Sequence, residues 1–150
     1  MNWYLFWKLV HFAGILGFVA GHGVSASVTV RLPKERDPAR LEPLLALSRS
    51  TILWSNVGLL VLVIGGAANW VSQDYSPQGW LWASVGLLVV LAGLGFGLAA
   101  PYFRRIRAAI ANADAKALAT ALDAKVPWTI FWVETVGVAI ILWLMVYKPF

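Results

Sequence analysis

The stretch that decides the fold is residues 9–30, LVHFAGILGFVAGHGVSASVTV, an apolar run without Asp, Glu, Lys or Arg. A hydrocarbon core about 30 Å thick is crossed by about 20 helical residues, so this run predicts a membrane-spanning helix. It also contains both histidines of the chain, His11 and His22. At about 100° and 1.5 Å per residue, the two rings lie within about 20° of one helix face and about 16.5 Å apart. They share a face, but they cannot bind the same ion or porphyrin.

The whole chain has the composition of a membrane protein. Of its 150 residues, 60% are hydrophobic and 13% are charged, and the mean hydropathy is +0.73. A single soluble domain cannot bury that much apolar surface. The lack of cysteine excludes disulfides, zinc–thiolate sites and cysteine nucleophiles. The formal charge of +5 lies in loops between apolar stretches, so we expect it to set topology and expect no nucleic-acid partner.

Four apolar stretches predict four spans, at residues 4–30, 51–71, 80–103 and 128–147. We therefore predict an all-α fold, an antiparallel up-down bundle of four transmembrane helices that forms a single membrane domain over residues 1–150. Short amphipathic helices are expected in the cytoplasmic loops. Asp37 followed by Pro38 predicts the N-cap and first turn of a helix leading into the second span, and Pro127 predicts the first turn of the fourth.

Basic residues are distributed unevenly between the loops. Residues 31–50 and 104–126 each contain five Lys or Arg residues, whereas residues 71–80, VSQDYSPQGW, contain none. The positive-inside rule places the two basic loops in the cytoplasm and both termini on the opposite side of the membrane. The sequence thus predicts a multi-pass protein in contact with membrane lipids.

The face of the first span that carries the histidines has short side chains. Gly14, Gly21 and Ser25 lie on it and Gly17 lies to one side, which lets a flat ligand or a neighbouring backbone approach closely. A lone imidazole on such a face fits an axial ligand of haem iron or of chlorophyll magnesium, and it fits a hydrogen-bonded core histidine as well. The predicted cofactor-binding residues are His11, His22, Gly14, Gly17 and Gly21, with the two histidines as metal ligands.

A second group of polar residues lies at a similar depth in three spans. His22, Asn56 and Glu134 are predicted to form one buried polar layer, together with Ser25, if their helix faces turn inward. An ionised carboxylate that faces lipid is very costly, so Glu134 is expected to be paired, protonated or in a wet cavity. The layer fits either a structural hydrogen bond between helices or a proton or metal relay. No catalytic triad, P-loop or two-carboxylate hydrolase pair is present.

Three segments carry a resemblance to a known family: WKLVHFAGILGFVAG, DPARLEPLLALSRS and WLMVYKPF. Within them, Lys8 and His11 match a K-x-x-H opening, Gly17 matches a small residue after it, and Lys148 with Pro149 matches a terminal KP. The chain resembles a bacterial family of predicted integral membrane proteins of unknown function. That family is distantly similar to the copper-resistance D proteins and to the haem-binding membrane protoporphyrinogen oxidase.

The resemblance implies a four-helix protein of the bacterial inner membrane. It also implies a first-helix histidine near the outer surface, which in the oxidase relatives is associated with b-type haem. Residue by residue, this suggestion passes to His11 and Lys8 alone.

Three classes of function follow from the sequence. The first is a non-catalytic subunit that binds haem b, or a chlorophyll-type pigment, through His11 or His22. Such a subunit would work in a respiratory or photosynthetic complex, with other membrane subunits or as a homodimer. The second is a purely structural accessory subunit without a cofactor. The third is a proton- or metal-relay transporter, or a membrane oxidase, that uses His22, Asn56 and Glu134.

Overall fold

The computed structural model describes residues 2–72 and 78–150, and this part of the chain is almost entirely helical. Its helices are α1 (Trp3–Arg31), α2 (Pro38–Val71), α3 (Gly79–Leu94), α4 (Ala100–Ala111), α5 (Ala115–Leu122) and α6 (Val126–Tyr147). A 3₁₀ turn, Leu32–Lys34, follows α1, and a π-helical segment, Gly95–Ala99, joins α3 to α4. The described residues include no strand, which confirms the all-α prediction.

Four helical stretches are long and apolar enough to cross a membrane: Trp3–Lys34, Pro38–Val71, Gly79–Ala111 and Ala115–Tyr147. They confirm the four predicted spans. Residues 73–77, in the predicted loop between the second and third spans, lie outside the described residues.

Helix α2 begins at Pro38, where the Asp37–Pro38 pair predicts a helix that leads into the second span. The backbone N–H of Ala39 donates to Asp37 Oδ1 at 3.0 Å, so Asp37 caps the helix as predicted. The following residues, rich in Leu, Ala, Glu and Arg, are good helix formers, and the helix continues through them without a break. Pro127 occupies the first turn of α6, also as predicted.

The chain divides into two compact units, which are described separately. The first unit comprises Met1–Val28 and Ala46–Ser76, and the second comprises Thr29–Leu45 and Pro77–Phe150. The first unit therefore contains most of α1 and the later part of α2. The second contains the start of α2 and all of α3 to α6.

In the first unit, α1 and α2 pack backbone against backbone. A Cβ atom added to Gly21 would lie 2.8 Å from Ser55 N, and one added to Gly65 would lie 2.6 Å from His11 N. Gly14 is likewise in contact with the backbone of Leu62. As residue numbers rise along α1, the contacted numbers fall along α2, so the two helices are antiparallel. Small residues permit this approach in membranes, where close packing replaces the hydrophobic effect as the source of association.

In the second unit, α3 packs against α6 through a side chain that fits a glycine notch. A Cβ atom added to Gly137 would lie 2.7 Å from Cδ2 of Leu91, and both residues are buried. This is knob-and-hole packing between a leucine and a glycine, rather than direct contact between two backbones.

Helices α4 and α5 form a tight hairpin. The turn is made by Ala113, whose φ of 51° is left-handed. Asp114 Oδ1 accepts the N–H of Ala117 at 2.9 Å and so caps α5. The far end of α5 is tied to the segment before α2, because Arg36 Nη2 lies 2.7 Å from Asp123 Oδ1.

Candidate functional site

His11 is half-buried in α1 and is held by the backbone of α2. Its Nδ1 atom lies 2.8 Å from the carbonyl oxygen of Leu62. A carbonyl only accepts, so Nδ1 carries the hydrogen and donates it. In the neutral ring this leaves Nε2 with a free lone pair, the form in which imidazole binds a metal.

Two adjacent glycines of α2 make room for the His11 ring. A Cβ atom at Gly65 would lie 2.6 Å from the backbone N of His11, and one at Gly66 would lie 3.0 Å from Nδ1 and 3.1 Å from Cε1. The Nδ1–Cε1 edge of the ring therefore lies against α2. In consequence, the backbone of α2 sets the orientation of the imidazole.

The glycines predicted to bind a ligand contact α2 instead. Gly14 and Gly21 are buried, and the space that their missing side chains leave is filled by the backbone of α2. Gly17 is exposed, and a Cβ atom there would lie 3.4 Å from Gly58 Cα. We assign Gly14 and Gly21 to helix packing, whereas Gly17 and the two histidines stay predicted ligand-binding residues.

His22 lies farther along α1 in a different environment. Its ring is half-buried and stacks on Phe18, with centroids 5.4 Å apart and an interplanar angle of 19°. Three residues farther along α1, the Ser25 hydroxyl lies 3.3 Å from that of the fully buried Ser48. Asn56 is exposed on α2. The polar layer of His22, Ser25, Asn56 and Glu134 stays a prediction, because Glu134 belongs to the second unit.

Glu134 is half-buried in α6 and faces the π-helical segment. A Cβ atom at Gly95, the first residue of that segment, would lie 3.7 Å from Glu134 Oε1. Single π turns within helices occur frequently at functional sites, and a carboxylate inside a membrane helix is a functional hypothesis by default. The π turn was not predicted from the sequence. Its signal there is the glycine-rich GLGFG at residues 93–97.

Comparison with known proteins gives no relative for this arrangement. The chain matches no protein-family model, no curated protein and no solved structure. The resemblance to the copper-resistance D proteins and to the membrane protoporphyrinogen oxidase therefore stays a prediction.

Proposed function

We propose that this protein binds haem b through Nε2 of His11. It would act as an accessory or electron-transfer subunit of a larger respiratory or photosynthetic complex in the bacterial inner membrane. The observation that carries the proposal is the hydrogen bond from Nδ1 of His11 to the Leu62 carbonyl. Metal-binding histidines almost always donate their other ring N–H to a carbonyl or carboxylate, which fixes the tautomer and makes the ligating nitrogen more basic.

The residues around His11 suit a single axial ligand. Helix α2 fixes the ring through Gly65, Gly66 and the Leu62 carbonyl, so little freedom is lost when a metal is bound. Lys8 lies one turn earlier and is exposed, and its ammonium group suits a haem propionate. Bound haem b supplies reversible one-electron transfer.

The topology proposed for this subunit follows the basic loops. Residues 31–50 and 104–126 lie in the cytoplasm, and both termini lie on the other side, so His11 is in the outer half of the first span. A sixth iron ligand, where one is used, comes from a partner subunit or from a second copy of the chain. His22 is the alternative ligand, and a chlorophyll-type pigment is the alternative cofactor.

A reduced-minus-oxidised absorption spectrum tests the proposal on protein expressed with ample haem. Wild type should show a Soret band, His11→Ala should lose most of it, and His22→Ala, as the matched control in the same helix, should keep it. A wild-type protein with neither haem nor extractable chlorophyll would contradict the proposal. Equal pigment in wild type and both variants would show that neither histidine is the ligand.

A proton or metal relay that uses Glu134 is the second candidate. The observation that favours it is the contact between the Glu134 carboxylate and the π-helical segment. In vesicles that contain the protein, Glu134→Gln should abolish proton-coupled transport or shift its pH dependence. The control is Glu42→Gln, which removes an exposed carboxylate near the start of α2. A transport rate that Glu134→Gln leaves unchanged would eliminate the relay.

A further inference from the structure

The second unit contains a groove of about 630 Å³ between α4, α5 and the start of α6. This volume is within the range of small-molecule sites. Its wall begins at Gly97 and Leu98, in the apolar third span, and ends at Asn112 and Lys116, beyond the basic cluster that closes that span. The groove therefore passes from an apolar end to a polar end.

A buried phenol on the wall of the groove lacks a partner. The Tyr102 side chain is only 4% exposed, and it lines the groove. Within the described part of the chain, its hydroxyl makes no hydrogen bond. Buried hydroxyls are nearly always satisfied, so this one indicates a partner, water or ligand, that the described residues do not supply. A hydroxyl that donates suits an anionic oxygen.

The charges on the wall favour an anion. Arg105 and Lys116 both line the groove, and so does the neutral donor Asn112. The carboxylate of Asp114 also lines it, but Asp114 Oδ1 accepts the N–H of Ala117 at the start of α5. The wall thus carries two cationic side chains and one carboxylate, which already caps α5. Its net charge is therefore positive.

We propose that this groove binds one anionic phospholipid. The phosphodiester is held at the polar end by Arg105, Lys116 and the Tyr102 hydroxyl, and an acyl chain lies along Gly97, Leu98 and Pro101. A soluble anion would use only the polar end, whereas the groove continues as an apolar wall into the membrane span. Basic pockets at the membrane surface recognise lipid headgroups in this way. The site is independent of His11 and of any haem.

Native mass spectrometry tests the site on protein released from vesicles of equal parts phosphatidylglycerol and phosphatidylcholine. Wild type should retain one phosphatidylglycerol in preference to phosphatidylcholine. Arg105→Gln with Lys116→Gln should lower that retention about tenfold. The matched control is Arg104→Gln with Lys125→Gln, which removes the same charge from residues outside the groove and should retain the lipid. Equal retention by the two double variants, or equal retention of the two lipids by wild type, would overturn the proposal.

A second pair of variants tests the apolar end. A Cβ atom at Gly97 or at Gly93 meets nothing within 4 Å, so a side chain at either position begins in open space, but only Gly97 lines the groove. Gly97→Leu should therefore reduce phosphatidylglycerol retention severalfold, and Gly93→Leu should leave it unchanged. Full retention by Gly97→Leu, together with complete displacement of the lipid by inorganic phosphate, would show that the groove binds a soluble anion and not a phospholipid.

The Tyr102 hydroxyl is tested by the smallest change. Tyr102→Phe keeps the ring and its edge-on contact with Phe103, whose centroid lies 5.6 Å away. Helical content should be unchanged and phosphatidylglycerol retention should fall a few fold, because one donor to the phosphodiester is lost. Unchanged lipid retention would show that the Tyr102 hydroxyl does not contribute to binding.

Discussion

The glycines of the first unit and those of α3 share a spacing but differ in what they contact. In the first unit, Gly17 and Gly21 form a GxxxG pattern, and Gly21 touches the backbone of α2. In α3 and the π-helical segment, Gly93 and Gly97 form the same pattern, yet a Cβ atom at either would meet no described atom within 4 Å. The spacing therefore permits close approach without showing that it occurs. What decides is a partner face with small residues at the matching register.

Gly58 is the small residue of α2 at the matching register. Its substitution should have the largest effect on stability. A Cβ atom there would overlap the backbone of Gly17 and Phe18, which cannot move as a side chain can. Gly58→Leu should lower the free energy of unfolding by about 3 kcal/mol or more. Gly93→Leu is the matched control and should change it by less than about 0.5 kcal/mol.

Unfolding in detergent, followed by a distance probe between α1 and α2, measures both variants. If Gly58→Leu and Gly93→Leu were equally stable, the close contact between the two helices would be disproved.

Gly137 should show an intermediate effect, because the obstacle is the end of a side chain. Gly137→Ala should lower the free energy of unfolding by about 1–2 kcal/mol. The added carbon would lie 2.7 and 2.8 Å from the two Leu91 methyl carbons and 3.1 Å from Leu91 Cγ. In a Leu91→Ala background the same change should cost much less, which gives a coupling energy of at least about 0.5 kcal/mol in a double-mutant cycle. Strict additivity of the two substitutions would show that Leu91 does not occupy the notch.

Gly66→Ala tests the contact between α2 and the imidazole with a smaller perturbation. The new methyl group would lie 3.0 Å from His11 Nδ1, so the ring must shift by a few tenths of an ångström. We expect a stability loss below about 1 kcal/mol and a weaker hydrogen bond to Leu62, visible as a change in the ¹⁵N shift of Nδ1. Gly23→Ala, where the methyl group meets nothing within 4 Å, is the control. An unchanged ¹⁵N shift in Gly66→Ala would contradict the described position of the ring.

The smallest effect is expected from Glu35, in the second unit. Backbone N–H groups of Asp37 and Arg36 donate to its carboxylate, at 3.1 and 2.9 Å, and hold the pKa of Glu35 below its ordinary value. A carboxylate with a lowered pKa in the folded state stabilises that state above the ordinary pKa, and the contribution is lost as the pH falls through the folded pKa.

The protection factors for hydrogen exchange at residues 35–41 should therefore fall on acidification below about pH 4.3, whereas Glu35→Gln should flatten that dependence. The α1–α2 contact of the first unit should be the same in both proteins. A pH response of the same size in Glu35→Gln would show that another group causes it.

The sequence predicted the elements that hydropathy and local capping determine. Asp37, Pro38 and Pro127 act as helix-start signals because capping is a local interaction. The extension of α2 back to Pro38 was not predicted as part of the span, because residues 38–50 lack the apolar character used to find spans.

The environment of His11 could be predicted only in part. The sequence identified the histidine and its glycine-rich face, but the partner is the carbonyl of Leu62, and a backbone carbonyl has no residue signature. The adjacent Gly65 and Gly66 were the available signal, and their meaning depends on the register of α1 against α2. That same register fills the space over Gly14 and Gly21, which the sequence alone left open to a ligand.

Imidazole rescue of His11→Gly is the most direct test of His11 as the haem ligand. This substitution removes the proposed ligand and leaves a space beside Gly66 that free imidazole can enter. The purified variant should lack the wild-type Soret band, and added imidazole and haem should restore it at the wild-type position. The His22→Gly variant should show the band without imidazole. A His11→Gly protein with an undiminished wild-type spectrum would contradict the assignment of His11 as the haem ligand.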